Sequence, residues 1–470
     1  MLKHTPLVHL GLAIGLSLSL LACQPGETPG TGPAPSAFPE VAGTPPPIPS
    51  FAAQPIPTAM PGRNFDGGDA MAEAGMPMSA PAMMDSVSAG PATSERTSSS
   101  APRPGVTAPD IMPPILPPEE PGPVPEAGLL TAGAWSDLQN WPFWLDLMQQ
   151  QEWDQMPATW GIYTQRRVPV VVRNSSGQAL ADVPVTLRSG QQTLFTARTN
   201  MAGEAELFVD LFTAQSQYTD LQIRADSGQA QATQDLSWPL QSNEPIGLSL
   251  ESEVAPAVYA DLMLMIDTTG SMGDELEYLK SELANVASRV AAQTPQDLTL
   301  RLSANFYRDT TDEYVVRSFP FSTDVNSVQS QLAQQSANGG GDFPEAVDSA
   351  LADAVDNHQW SPTARARLLF LVLDAPPHQD AENLQRLRTS LERAAAKGIR
   401  IIPVASSGID KDTEFLLRML AISSGGQYVF LTDDSGIGNS HIKPTIGQYS
   451  VEKLNDLMVR LASAYINGDF

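Results

Sequence analysis

Between residues 258 and 467, apolar runs too short to be helices alternate with longer amphipathic stretches. Leu262–Ile266, Leu298–Phe306, Glu313–Phe321, Leu368–Leu373, Ile399–Val404 and Gln427–Leu431 read as strands, and Asp274–Ala292, Glu345–Asn357, Ala381–Lys397, Asp412–Ala421 and Val451–Tyr465 as helices. Alternation of this kind folds into a largely parallel sheet with helices on both faces, and a wholly apolar strand such as Leu368–Leu373 needs cover on both sides. The expected fold is therefore α/β and Rossmann-like over this region. Ligands of such sheets bind beyond the carboxyl ends of the strands, so the residues just after each strand carry the functional information.

Those residues are acidic and hydroxylic. The first strand ends at Asp267, followed at alternate positions by Thr269 and Ser271, and the strand Leu368–Leu373 runs into Asp374-Ala-Pro-Pro-His378. Gly339-Gly-Gly-Asp342-Phe-Pro-Glu-Ala346 lies between them as a flexible loop entering a helix. Two strand-end aspartates and two hydroxyls at one sheet edge make an oxygen site suited to Mg²⁺ or Mn²⁺, with Ca²⁺ as a further candidate.

Residues 258–467 resemble a von Willebrand factor type A domain with a metal-ion-dependent adhesion site. The family motif Asp-x-Ser-x-Ser stands here as Asp267-x-Thr269-x-Ser271, with Asp374 at the later strand end. Asp-Thr-Thr-Gly-Ser-Met, Tyr307-Arg308-Asp309 and Gly-Gly-Gly-Asp-x-Pro-Glu-Ala are similar to a bacterial branch of that family. The resemblance implies that hydroxyls bind the cation directly, that the aspartates act largely through water, and that an acidic group of a protein partner completes the shell. It also implies a coordinating Thr in the glycine loop, where this chain has Asp342. An extra carboxylate would neutralise more of the cation and weaken its pull on a partner's acid. The metal set implied is Asp267, Thr269, Ser271, Asp342 and Asp374. His378 is expected at the rim, Arg308 and Asp309 as a mutual pair, and Asp433 and Asp434 as turn formers.

Two other readings differ in class. Asp267-Thr-Thr-Gly-Ser271 also resembles the phosphorylation loop of haloacid-dehalogenase-type phosphotransferases, which would make Asp267 a nucleophile beside Mg²⁺, with Lys397 and Asp433-Asp434 as later partners. That reading puts Thr where those enzymes have Lys and leaves Asp374 and the glycine loop without a task. Ser271 lacks the glycine of a nucleophile elbow two residues before it, and the glycine loop lacks Gly-Lys-Ser/Thr. No enzymatic activity is therefore expected. A purely structural envelope protein, its site filled by metal and water, is the remaining alternative.

The rest of the chain reads as delivery. Lys3 and His4 precede an apolar run ending Leu20-Leu21-Ala22-Cys23, the layout of a secretory signal over residues 1–22. It resembles a bacterial lipobox, which implies lipid on Cys23 and a bacterial cell-envelope, extracytoplasmic location, at the outer membrane or cell surface. Residues 23–127 are rich in Pro, Gly, Ala and Met without core periodicity and read as a disordered tether, the Met71–Met84 cluster included. Residues 128–164 hold Trp135, Trp141, Trp144, Trp153 and Trp160 and read as a cap packed on a neighbouring domain. Over 165–252, short alternating strands separated by turn residues predict an antiparallel β-sandwich, and Gln178–Val185 with Thr199–Gly203 resembles the carboxypeptidase-regulatory type of Ig-like domain. With 53 acidic against 27 basic residues and a net charge of -26, nucleic acid is a poor partner. One cysteine allows no internal disulfide.

Overall fold

The computed structural model describes residues 125–214, 217–218, 220–253, 257–295 and 297–469. The signal sequence, Cys23 and nearly all of the tether lie outside the described residues. The first elements are β1 (Thr131–Trp135), α1 (Trp141–Leu147) and α2 (Met156–Trp160). Seven strands follow: β2 (Arg167–Asn174), β3 (Pro184–Ser189), β4 (Gln192–Arg198), β5 (Glu204–Phe208), β6 (Asp220–Asp226), β7 (Gln231–Ser237) and β8 (Ile246–Leu250). The alternating region begins with β9 (Tyr259–Asp267), α3 (Gly273–Gln293), β10 (Thr299–Tyr307), β11 (Val316–Arg317), α4 (Val325–Ala333) and α5 (Val347–Asp356). It closes with β12 (Ala366–Leu373), α6 (Ala381–Lys397), β13 (Ile399–Ala405), α7 (Lys411–Ser424), β14 (Tyr428–Leu431), β15 (Glu452–Lys453) and α8 (Leu454–Asn467). No helix among the described residues is long and apolar enough to cross a membrane.

Among the described residues the large sheet has eight strands in the order β11-β10-β9-β12-β13-β14-β1-β15. The five strands from β10 to β14 run parallel, which places all their carboxyl ends on one edge. All eight residues of β12 are buried, as the apolar run Leu368–Leu373 requires, and the one charge among them, Arg367, is paired. Leu262, Leu264 and Ile266 of β9 face α3 and α8, while Met263 and Met265 face the opposite helical layer. The boundaries of α6 coincide with the sequence expectation because both ends are chemically marked. Asp380 accepts hydrogen bonds from the N–H groups of Glu382 and Asn383, and Gly398 stops the helix with φ +71.

Three elements differ from the expectation. The segment 128–164 contributes an integral strand as well as a cap, because β1 pairs antiparallel with β14 from Ala132↔Leu431 to Trp135↔Tyr428 and then with β15. A Cβ at Gly133 would lie 2.5 Å from the Phe430 ring, so a glycine is what lets the two strands approach. The strand expected over Glu313–Phe321 contracts to Val316–Arg317. Beyond it, side chains of β10 replace the ladder: Phe319 N–H donates to Asn305 Oδ1 at 2.6 Å, and Ser303 Oγ donates to the Phe319 carbonyl at 2.6 Å. Helix α4, capped by Asp324, was not expected at all.

The seven strands from β2 to β8 form two sheets, β5-β2-β8 and β4-β3-β6-β7, and the expected all-antiparallel pairing fails at β8, which runs parallel to β2. Their apolar alternation meets in one layer, where Phe195 of β4 and Phe208 of β5 touch edge to face at 5.6 Å. Asp182 joins this module to the α/β part. It accepts from Arg198 on one side and from both terminal nitrogens of Arg367 at 2.8 and 2.9 Å on the other.

The tryptophan segment lies over α7 and encloses a charge. Arg418 is fully buried, with its guanidinium 4.9 Å from the Trp144 ring centre and 5.2 Å from that of Trp153. It donates to both oxygens of buried Asp137 at 2.9 and 2.6 Å and to the Thr445 carbonyl at 2.7 Å, with Glu414 at 3.6 Å. A cation with two acids, a carbonyl and two ring faces is fully compensated.

Candidate metal centre

Strand β9 delivers Asp267 to the carboxyl edge between β10 and β12, where Tyr307 is its neighbour across the ladder. The chain turns immediately. Thr269 donates to Asp267 Oδ1 through its N–H at 2.8 Å and its hydroxyl at 2.7 Å, and the Thr269 and Ser271 hydroxyls stand 3.2 Å apart. The glycine loop is tied to this turn, since Gly270 N–H donates to the Gly339 carbonyl at 3.1 Å and Asn338 N–H to the Thr268 carbonyl at 3.1 Å. Asp374 follows β12 on the same edge and receives a hydrogen bond from Ser271. Four of the five residues expected at the metal, Asp267, Thr269, Ser271 and Asp374, are thus brought together.

A fifth member lies outside the residues expected at the metal. Glu345, 3% exposed, is held beside the loop of Asp374 by its N–H bond to the Pro376 carbonyl at 2.9 Å and a bridge to Pro377. The Pro-Glu-Ala string gave the only sequence signal, an acid at the mouth of a helix following a glycine loop.

Asp267 Oδ2, Asp374 Oδ1 and Glu345 Oε2 are buried without a hydrogen-bond partner among the described residues. Burial, reinforced by the Asp374 charge, pushes the Asp267 carboxyl up to about 7. Burial, opposed by the Ser271 hydrogen bond and aided by the Glu275 charge, raises Asp374 to about 6. Burial and the charge of Asp267 carry Glu345 to about 9. Arg308 does not relieve them: its guanidinium is engaged with the Thr268 carbonyl at 3.1 Å and the Ser336 carbonyl at 2.8 Å. Unshared carboxylate oxygens beside two hydroxyls are the donors that hard divalent cations take, so these residues fit Mg²⁺, Mn²⁺ or Ca²⁺.

Asp342 is placed differently from the expectation. It is exposed and groups with Asp309 and His378, with one ligand-type atom from each residue within 4.8 Å of the others. A carboxylate on a loop tip is solvated, which explains why it stays out of the buried set. His378 Nε2 lies 2.8 Å from Asp309 Oδ1, so the expected Arg308–Asp309 pair does not form. Lys397 precedes β13 and bonds the Val355 carbonyl and Asp356, at the edge of the sheet away from Asp267. Asp433 begins a 3-10 turn and shares His441 with Glu275, the two oxygens lying 2.9 and 3.1 Å from the imidazole nitrogens.

The von Willebrand factor type A family matches residues 261–441. Residues 261–441 are a VWA domain. Its sheet is completed from outside the matched range by β1 and β15, and α8 covers one face. Domains of this family commonly mediate protein–protein interaction or adhesion and often bind a divalent metal. An ariadne-like RING finger protein of Acanthamoeba polyphaga mimivirus is 25% identical over 204 residues, 39% of this chain and 19% of its own length. The alpha-protein kinase vwkA of Dictyostelium discoideum is 21% identical over 222 residues, 47% of this chain and 34% of its own. The chain therefore spans about a fifth and a third of these relatives.

Proposed function

We propose that the VWA domain binds a divalent cation, Mg²⁺ or Mn²⁺, through Asp267, Thr269, Ser271 and Asp374, with Asp342 at the rim, and uses it to hold a protein partner that presents an acidic group. The observation that carries this reading is the set of three buried, unpartnered carboxylate oxygens beside the Thr269 and Ser271 hydroxyls. Such a set is costly without a counter-charge. A bound cation supplies that charge and an electrophilic contact for a partner's oxygen. Asp267 fixes the Thr269 hydroxyl, Ser271 links the turn to Asp374, and the Gly270–Gly339 bond positions the glycine loop.

The same reading makes the protein a lipid-anchored binding protein of the bacterial envelope, attached through Cys23, with residues 165–252 as an Ig-like presenting module and no catalysis of its own. The place of Lys397 at the opposite sheet edge disfavours the phosphotransferase alternative, which needs that lysine beside Asp267. The test is a pull-down from envelope extract with and without EDTA, alongside Mg²⁺ titration of the wild type and Asp267→Ala. Cation-dependent capture lost in the variant is the expected outcome. Absence of any cation uptake refutes the metal reading, acid-stable phosphate on Asp267 would favour the enzyme, and cation uptake without capture would favour a structural envelope protein. Labelled fatty acid that failed to enter the wild type, with Cys23→Ala still at the membrane, would refute the anchor.

A further inference from the structure

Glu345 Oε2 is one of the three unpartnered oxygens above, yet Glu345 is not among the residues given a ligand's role there. We propose that Glu345 is a ligand of the same cation, an acid the chain supplies for itself and with which a partner's acidic group must compete. This rests on the cation reading of the previous subsection.

Three observations converge on it. Glu345 is 3% exposed and its Oε2 has no partner among the described residues, the costliest condition for a carboxylate. The side chain reaches the Asp267–Ser271 turn on the side of the Thr269 Cβ and methyl. A Cβ built on Gly340 would stand 2.9 Å from Glu345 Oε1 and 3.4 Å from Thr269 Cβ, so no more than a methyl-sized gap separates that carboxylate from the Thr269 side chain. Gly340, at φ +72, keeps the gap open. Finally, the backbone of Glu345 is fixed on both sides, by its N–H to the Pro376 carbonyl at 2.9 Å and by Val347 N–H to its own carbonyl at 2.9 Å. Pro376 lies two residues beyond Asp374, so the loop after β12 positions both acids.

The charge balance follows. Asp267, Asp374 and Glu345 together bring three negative charges to a divalent cation, so the filled site carries a net negative charge and draws a further carboxylate weakly. A neutral acid buried for packing is the rival account of Glu345. A hydroxyl of that acid would still lack an acceptor, and its replacement by Gln would leave the cation unaffected.

The experiment uses the full-length chain with Mn²⁺ as probe. Free Mn²⁺ is followed by electron paramagnetic resonance, and waters on the bound ion are counted by ¹⁷O relaxation. Glu345→Gln is expected to weaken Mn²⁺ binding at least tenfold and to add one exchangeable water. Glu345→Asp keeps the charge but withdraws the carboxylate by one methylene, and is expected to add the water with a smaller loss of affinity. This variant also carries the test if the Gln variant does not fold. Wild-type affinity and water number in the variants would overturn the proposal while leaving the cation reading intact. Equal failure of the wild type and Asp267→Ala to take up Mn²⁺ would overturn the cation reading itself and this proposal with it.

Discussion

The protein buries charge in two places and treats it in opposite ways. Under the tryptophan segment, the Arg418 cation meets two acids, a carbonyl and two indole faces. At the carboxyl edge of the same sheet, Asp267, Asp374 and Glu345 lie near enough to raise one another's pKa, and each keeps an oxygen with no partner among the described residues. Folding tolerates the first because each charged group in it has a partner within the chain. It tolerates the second only with neutralisation by protons or by a cation from solution, and the two hydroxyls at hand favour the cation. Complete compensation suits a structural cluster, whereas a deficit is what the proposed cation would make good.

The largest expected effect breaks the first cluster. Arg418→Met leaves Asp137 and Glu414 buried without their counter-charge and should cost about 3–5 kcal/mol in urea unfolding. A loss below about 1 kcal/mol would mean that the cluster is not the compensated unit described. Next comes the cation. Saturating Mn²⁺, at about a hundred times its dissociation constant, should stabilise the wild type by about 2.7 kcal/mol, and Asp267→Ala should lose that gain in thermal unfolding.

The sharpest contrast comes from Asp374→Asn at pH 7.5. It removes a carboxyl whose raised value signals a destabilising charge, so in EDTA it should gain about 1 kcal/mol, and with Mn²⁺ present it should become a net loss. A loss in both conditions would erase the distinction between the two clusters.

His441 offers a smaller, pH-dependent effect. Burial opposes its charge, but hydrogen bonds to Glu275 and Asp433 outweigh that and raise its value above 6.5. The stabilisation is full below the unfolded value and is lost as pH rises through the folded one. His441→Gln should therefore cost about 1 kcal/mol at pH 6 and progressively less toward pH 9. Asp342→Thr should be the mildest, shifting Mn²⁺ affinity by less than about threefold, because a solvent-exposed carboxylate is well screened. A tenfold change would return Asp342 to the buried set.

Local chemistry made much of this legible. The apolar run Leu368–Leu373 of β12 and the Asp380 and Gly398 ends of α6 are written in adjacent residues, and so are Asp267, Thr269 and Ser271, which one turn brings together. What was illegible depends on distant partners. Thr131-Ala-Gly-Ala-Trp135 has no strand-forming pattern, and it is extended because β14, some 300 residues later, offers it a ladder. Glu345 looked like a helix-entry residue until the Pro376 carbonyl turned it toward the aspartates. Asp342 has the family's position in the motif, but the loop tip carries it outward to Asp309 and His378.

The insertion of β1 has a mechanical consequence. Its Thr131 end sits beside Thr432, at the carboxyl edge that also carries Asp267, so a pull on the chain at residue 128 enters at that edge. Where the load runs along β1, hydrogen bonds on both sides of it share the load in shear, whereas a terminal strand at the sheet margin is held on one side alone. The Gly128, Leu129 and Leu130 N–H groups, all gripped by Glu282 at 2.7–3.1 Å, add a second catch ahead of the strand. Force spectroscopy with one handle before residue 128 should therefore find the Glu282→Ala variant yielding at lower load than the wild type. Equal rupture forces would show that the strand alone bears the tension.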